Sequence, residues 1–248
     1  MALIARTTES RPSRLSPHLR GHLFYSDGKP TLSLGWPTAA RLVAIFVLLE
    51  FALGPRLSIL GRLHVPAPAA WIRELVLIAL ALALVRWVAG LTPSRIGLRR
   101  WSDWSRTERS YFLQATLLGN GVFGLLFAHV LATIVANRAL WGEACVVIGT
   151  QLAWGMYQEL VYRGILQTAL VSRWGPAAGI GLANAAFTLG PLHFYHFADA
   201  SPALVFAGVF AIGLFLSVLF WRSGNLWLVG VLHGIGNVYI DGLQRLGH

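Results

Sequence analysis

Long apolar runs separated by short polar segments dominate the chain, and they predict helices that cross a membrane. Several runs approach or exceed about 18 residues with few charges, which is the length that a helix needs to span the hydrocarbon core. None shows the alternation of apolar and polar residues that is typical of barrel strands. The predicted fold class is therefore all-α, a polytopic transmembrane helical bundle of about seven spans. These spans are 36–54, 69–89, 111–136, 144–170, 176–197, 202–220 and 226–243.

Two polar stretches frame the first half of the bundle. Residues 1–35 are basic and rich in Ser and Pro, with no apolar core of signal-peptide length, which predicts a polar cytoplasmic tail before a single transmembrane domain at 36–248. Residues 92–109 hold five arginines with Trp101 and Trp104, a mix typical of an interfacial amphipathic segment, here between spans two and three.

The composition agrees with a membrane protein and changes the interpretation of the charge. Hydrophobic residues make up 56% of the chain and charged residues 12%, which excludes an ordinary soluble domain. The net charge of +10 would suggest nucleic acid in a soluble protein. Because the arginines cluster between apolar runs, we expect them to set the topology, with the N-terminus inside and a lipid bilayer rather than nucleic acid as partner. The single cysteine excludes a disulfide framework within the chain.

The fourth predicted span carries ionisable residues where a membrane helix normally has none. Charged groups at that depth cost roughly 2.5–3.5 kcal/mol each on insertion scales, so they are usually paired and functional. Glu159 and Arg163 are four residues apart and share a helical face, with Gln158 beside them. Gly155, one turn earlier, would allow another helix to approach closely. Glu50 lies near the end of the first span, where snorkelling or local pairing suffices.

Later apolar runs add imidazoles and an amide. His193 lies near the end of the fifth span, with His196 as an alternative one turn on, and His233 and Asn237 share a face of the seventh. Glu159 is suited to activate water as a general base, with a histidine holding the proton. The N–H groups of His233 and Asn237, if aimed together at one carbonyl, would form an oxyanion hole. The structural alternative is an ion pair with histidines that join helices.

A metal centre is the competing chemistry. Glu159, His193 and His233 would make a plausible zinc trio. The sequence has no H-E-x-x-H helix, and Arg163 argues against a cation beside Glu159. We therefore predict neither a metal nor a cofactor.

Taken together, these motifs resemble the intramembrane CAAX proteases and bacteriocin-processing enzymes, the CPBP or Abi family. That family has E-E-x-x-x-R, F-x-x-x-H and H-x-x-x-N or H-x-x-x-D in three successive membrane helices. The order and spacing match in this chain, whose motifs are Gln158-Glu159-x-x-x-Arg163, Leu189-x-x-x-His193 and His233-x-x-x-Asn237.

The resemblance implies a glutamate-dependent, metal-free endoprotease that cuts near the ends of membrane-associated polypeptides such as sorting-signal tails or bacteriocins. By position, the first acid of the E-E pair would activate water with His193, and His233 and Asn237 would form the oxyanion hole. The implied setting is a bacterial inner membrane.

Two positions depart from the family pattern. Leu189 stands where the second motif has Phe, although Phe187 is near, and Gln158 stands where the first Glu belongs. Glutamine cannot take a proton from water at neutral pH. Three explanations remain open, namely a deliberate Glu→Gln inactivation, a natural variant that uses Glu159 as base, and a protein that binds without cutting. The last is the alternative function, a non-catalytic membrane binding or immunity protein of the same fold. A transporter is weaker, because the sequence shows no inverted repeat.

Overall fold

The computed structural model describes residues 33–53, 70–198 and 201–246. Within these ranges the chain is helical and has no strand, which confirms the all-α class. The predicted tail lies outside the described residues except for 33–35. The α-helices of the described ranges are α1 Trp36–Val47, α2 Ala70–Trp87, α3 Arg106–Leu126, α4 Ala128–Ala136, α5 Trp141–Glu159, α6 Thr168–Leu189, α7 Pro202–Ser223 and α8 Leu226–Asn237.

Tighter and wider helical turns connect or extend these helices. The 3₁₀ turns are Pro93–Ile96, Trp101–Asp103, Arg138–Leu140, Pro191–Ala198 and Leu243–Leu246. The π-helical segments are Leu48–Ala52 after α1, Leu160–Gln167 between α5 and α6, and Val238–Gly242 after α8. Wide π turns are rare and frequently occur at functional sites. Here Leu160–Gln167 contains Arg163, and Val238–Gly242 directly follows Asn237.

The described helices include two that are long and apolar enough to cross a membrane, Pro202–Ser223 and Leu226–Leu246. A third candidate is the pair α3 and α4, which passes only as a unit and is bent by 84°. The described chain thus has two or three candidate spans. The count of seven spans and the inside position of the N-terminus stay predictions.

The arginine-rich segment before α3 forms short turns rather than a long helix. Trp101 is exposed and Trp104 is buried, with the two rings 4.7 Å apart. Ser105 and Glu108 close a capping box, since the Ser105 hydroxyl accepts from the Glu108 backbone at 3.1 Å and the Glu108 carboxylate accepts from the Ser105 backbone at 2.8 Å. This reciprocal pair fixes the start of α3. Its place at a membrane surface stays a prediction.

Helices α5 and α8 pack closely against each other through glycines. A Cβ on Gly155 would lie 2.5 Å from the backbone nitrogen of Gly234, and a Cβ on Gly230 would lie 2.7 Å from Met156. Small residues at such positions let two backbones touch. The close approach predicted from Gly155 is therefore present, and it brings His233 opposite the end of α5.

Helix α6 is sharply broken at Gly175, whose φ of 78° lies in the left-handed region that favours glycine. Pro176 follows and cannot continue the hydrogen-bond ladder. Beyond the bend, Gly179 packs on the backbone of Val171, so the two halves of α6 lie against each other. The break falls between the fourth and fifth predicted spans, and it directs the second half of α6 toward the turn that carries His193.

Candidate active site

Glu159, the last residue of α5, is the centre of a buried polar cluster. Its side chain is 0% exposed, and its Oε1 lies 2.6 Å from Nδ1 of His233 and 3.1 Å from Nη1 of Arg163. The contact with Arg163 follows from the four-residue spacing. The contact with His233 joins α5 to α8, and the glycine packing of these helices makes it possible. One carboxylate oxygen thus holds a cation and an imidazole together.

Arg163 is anchored by two contacts besides its carboxylate partner. Its Nη2 donates to the carbonyl of Gly213 in α7 at 2.9 Å, and the guanidinium lies 4.2 Å from the ring centre of Phe187. The side chain is only 1% exposed. A buried charge persists only when it is paired and hydrogen-bonded, and Arg163 has both kinds of partner. It therefore balances Glu159 and fixes α7 against the π segment.

Gln158 faces Asn237 across the same helix pair. Asn237 Nδ2 donates to Gln158 Oε1 at 3.3 Å, and Gln158 is 4% exposed. A carboxylate at position 158 would accept the same bond. The departure from the family motif thus leaves this contact in place but removes an ionisable group from it.

His193 lies in the 3₁₀ turn after α6, with Nδ1 2.7 Å from the backbone carbonyl of Phe187. A carbonyl only accepts, so Nδ1 carries the proton, and the acceptor nitrogen of the neutral ring is Nε2. His193 is 8% exposed. The side chain of His196, the alternative, lies outside the described residues.

Phe187 connects the two histidines, a role that the sequence analysis missed. Its ring meets His193 edge-on with ring centres 4.8 Å apart and His233 edge-on at 5.9 Å. Leu189, the residue at the family's Phe position, is 58% exposed and points away from this core. The available signal was the aromatic residue two positions before Leu189.

Glu50 is the second residue that the sequence analysis missed. It was expected near a span end, accommodated by snorkelling or by local pairing, and it is 3% exposed within the π segment after α1. Its carboxylate lies beside Tyr162 and the backbone of Leu192. Snorkelling is therefore wrong for Glu50, because its side chain is buried against these groups.

The structure thus brings the six predicted site residues into one region. Glu159 contacts both Arg163 and His233. Gln158 and Asn237 form a hydrogen-bonded pair of amides. His193 is linked to His233 through the ring of Phe187. This region offers imidazoles able to take a proton, N–H donors and a balanced buried charge. Among the described residues, no group of three or more His, Cys, Asp or Glu side chains is arranged to hold a metal ion.

Comparison with known families matches the part of the chain that carries these residues. Residues 139–239 match the family model described as type II CAAX prenyl endopeptidase Rce1-like. The match covers less than half of the chain but contains all three motifs, and it confirms the resemblance seen in the sequence. Neither the curated proteins nor the solved structures gave a match.

Proposed function

We propose that the chain, whose residues 139–239 are of CAAX-protease type, is an intramembrane endopeptidase. Its substrate would be a membrane-associated peptide or protein, such as a sorting-signal tail or a bacteriocin, cut near one end. The observation that carries the proposal is the contact between Glu159 Oε1 and His233 Nδ1, at 2.6 Å, inside the matched region.

In this proposal His193 is the group that takes the proton from water. Its Nδ1–H is committed to the carbonyl of Phe187, so the neutral ring presents Nε2 as its basic nitrogen. General-base catalysis of this kind contributes roughly 10²–10⁴-fold to a rate. The water oxygen then bonds to the carbonyl carbon of the substrate, whose oxygen becomes the oxyanion.

His233 and Asn237 are proposed to stabilise that oxyanion. His233 Nδ1 lies 2.6 Å from the Glu159 carboxylate, which fixes the ring, and a hydrogen on Nε2 would be the donor to the oxyanion. Asn237 adds amide hydrogens, one of which is given to Gln158. Such donors, fixed before the reaction, cost no reorganisation when charge develops. As the C–N bond breaks, the proton on His193 passes to the leaving amine.

Gln158 is proposed to orient Asn237 and water without taking a proton. The family has a glutamate here, which would add a second base beside His193. We therefore expect this chain to hydrolyse peptides more slowly than a form with glutamate at 158.

The proposed setting is a bacterial inner membrane with the N-terminus in the cytoplasm. The apolar helices and the family match indicate an integral membrane protein. Positive charge is enriched on the cytoplasmic side of membrane proteins, which supports this orientation for the arginine-rich segment 92–109. The partners proposed are the lipid bilayer and the peptide substrate, not nucleic acid.

The test is the cleavage rate of a panel of membrane-anchored peptides by the protein in lipid vesicles, before and after Gln158→Glu. We expect the glutamate form to be faster by about 10²–10⁴-fold, the range of one general base. Gln151→Glu, the same change two turns earlier on α5, is the matched control and should give no such gain. A peptide that binds both forms but is cut by neither would contradict the protease and favour the binding protein.

A further inference from the structure

Glu50 is a buried carboxylate that the proposed reaction does not use. It lies in the π segment Leu48–Ala52, and the hydroxyl of Tyr157 donates to the carbonyl of Leu49 at 3.4 Å, which fastens this segment to α5. A charged group this deep is retained only where polar partners hold it. The groups that surround the Glu50 carboxylate therefore indicate its role.

Those partners belong to the part of the fold that carries His193. The Glu50 carboxylate lies beside the Tyr162 hydroxyl and the backbone of Leu192, the residue before His193. Glu50 Oε1 and the Tyr162 hydroxyl are both buried and adjacent, and neither makes a hydrogen bond of normal geometry among the described residues. The two groups thus face each other.

Tyr162 lies between Glu50 and the turn that carries His193. Its ring packs edge-on against Phe187 at 5.2 Å between ring centres, and Phe187 in turn packs on His193. A Cβ on Gly190, at the start of the turn, would lie 3.0 Å from the Tyr162 hydroxyl. Glu50 and Tyr162 therefore adjoin the turn at its first residues and at the aromatic ring beneath the imidazole.

We propose that Glu50 is a positioning residue for His193. Its carboxylate holds the backbone N–H of Leu192 and the hydroxyl of Tyr162, and so fixes the turn Pro191–Ala198 in the orientation that keeps His193 Nδ1 on the Phe187 carbonyl. Hydrogen bonds from backbone N–H groups to a carboxylate are among the stronger ones in proteins, which suits them to hold a short turn. Its effect on rate rests on the proposed function of His193, but its effect on the geometry of the turn does not.

The test observes the His193 ring directly, by ¹⁵N NMR of the full chain with labelled histidine in lipid. In the unchanged protein we expect His193 to show a protonated, hydrogen-bonded Nδ1. Glu50→Leu should remove this signature and leave that of His233 unchanged, whereas Glu50→Gln, which keeps an acceptor oxygen, should preserve it. The matched control is Glu74→Leu, a buried carboxylate on α2 that pairs with Arg73.

A His193 signal that is the same in Glu50→Leu, or that changes equally in Glu74→Leu, would overturn the proposal. If Glu50→Leu does not fold, Glu50→Asp decides, because it keeps the charge but withdraws the carboxylate by one methylene. An unchanged His193 signal in Glu50→Asp would then overturn it.

A kinetic measurement separates this proposal from the proposed function. In the Gln158→Glu protein, Glu50→Leu should lower kcat by about tenfold to a hundredfold with little change in KM, since a small misplacement of a reacting group has effects of this size. Glu50→Gln should retain the rate. If no form cleaves peptide, the endopeptidase proposal fails, and the NMR result still decides the role of Glu50.

Discussion

Gly155→Ala should separate α5 from α8 and break the contact between Glu159 and His233. The added Cβ would lie 2.5 Å from the backbone nitrogen of Gly234, closer than real Cβ contacts come. A contact of at least 3.0 Å requires the helices to move apart by about 0.5 Å, and ordinary contact at 3.4 Å requires about 0.9 Å. Because the atom in the way belongs to the backbone, the close contact cannot be relieved by rotating a side chain.

That displacement is large compared with the narrow range of donor–acceptor distances over which a hydrogen bond is strong. Glu159 is one turn from Gly155, and His233 is next to Gly234, so the displacement reaches both partners. Their distance of 2.6 Å would rise beyond 3 Å and weaken the bond. Overpacking of this kind costs about 1–3 kcal/mol in stability, which lowers Tm by about 2–4 °C per kcal/mol for a chain of this size.

The assay is thermal unfolding in detergent together with peptide cleavage in the Gln158→Glu protein. Gly149→Ala is the matched control, because it is on the same helix and its Cβ would meet nothing within 4 Å. Alanine is favoured over glycine in an unobstructed helix by roughly 0.5–1 kcal/mol, so the control should be neutral or more stable. Equal stability and activity in the two variants would refute the packing argument.

Three further predictions concern the buried charge of the cluster, its aromatic centre and its independence of metal. Arg163→Leu should destabilise the fold by about 3–5 kcal/mol, because Glu159 would be left as an unbalanced buried charge. Adding Glu159→Gln should recover part of this loss in a double-mutant cycle of unfolding. No recovery would argue against the pairing of the two residues. Phe187→Ala should cost about 3–5 kcal/mol in denaturant unfolding, whereas Leu189→Ala, at an exposed site, should stay within about 0.5 kcal/mol; equal losses would contradict the assignment of Phe187 to the core. Treatment with chelator should leave peptide cleavage unchanged, since no proposed step uses a metal, and a loss that zinc restores would contradict the mechanism.

The local part of the site could be predicted from the sequence because helical periodicity determines it. The four-residue spacing put Glu159 and Arg163 on one face, and Gly155 indicated a close helix partner. The contact of Glu159 with His233 joins residues separated by 74 positions, and only the packing of α5 on α8 determines it. The motifs indicated that these residues belong together, but not which atoms meet.

The second motif shows where periodicity fails. Leu189 and His193 would share a face if α6 continued, but the helix ends at Leu189 and Gly190 is extended, with φ −80° and ψ 173°. His193 therefore lies in a 3₁₀ turn and meets Phe187 instead. The sequence did carry a signal for this ending, since Gly190 is followed by Pro191 and a Gly-Pro pair marks a turn, but the four-residue spacing of the motif was followed instead.

The sequence also did not predict the π-helical segments. Glu50 lies in one of them and is buried, where a regular helix end was expected. Its partners Tyr162 and Leu192 come from distant parts of the chain.

The central claim, that this cluster hydrolyses peptide bonds, is tested most directly by product analysis in ¹⁸O-labelled water. Purified Gln158→Glu protein in lipid vesicles is mixed with membrane-anchored peptides, and the products are identified by mass spectrometry. We predict a new carboxyl terminus that contains solvent oxygen, a matching free amine, and loss of both with His193→Gln. Peptide that binds but yields no such products, or cleavage that persists unchanged in His193→Gln, would contradict the account.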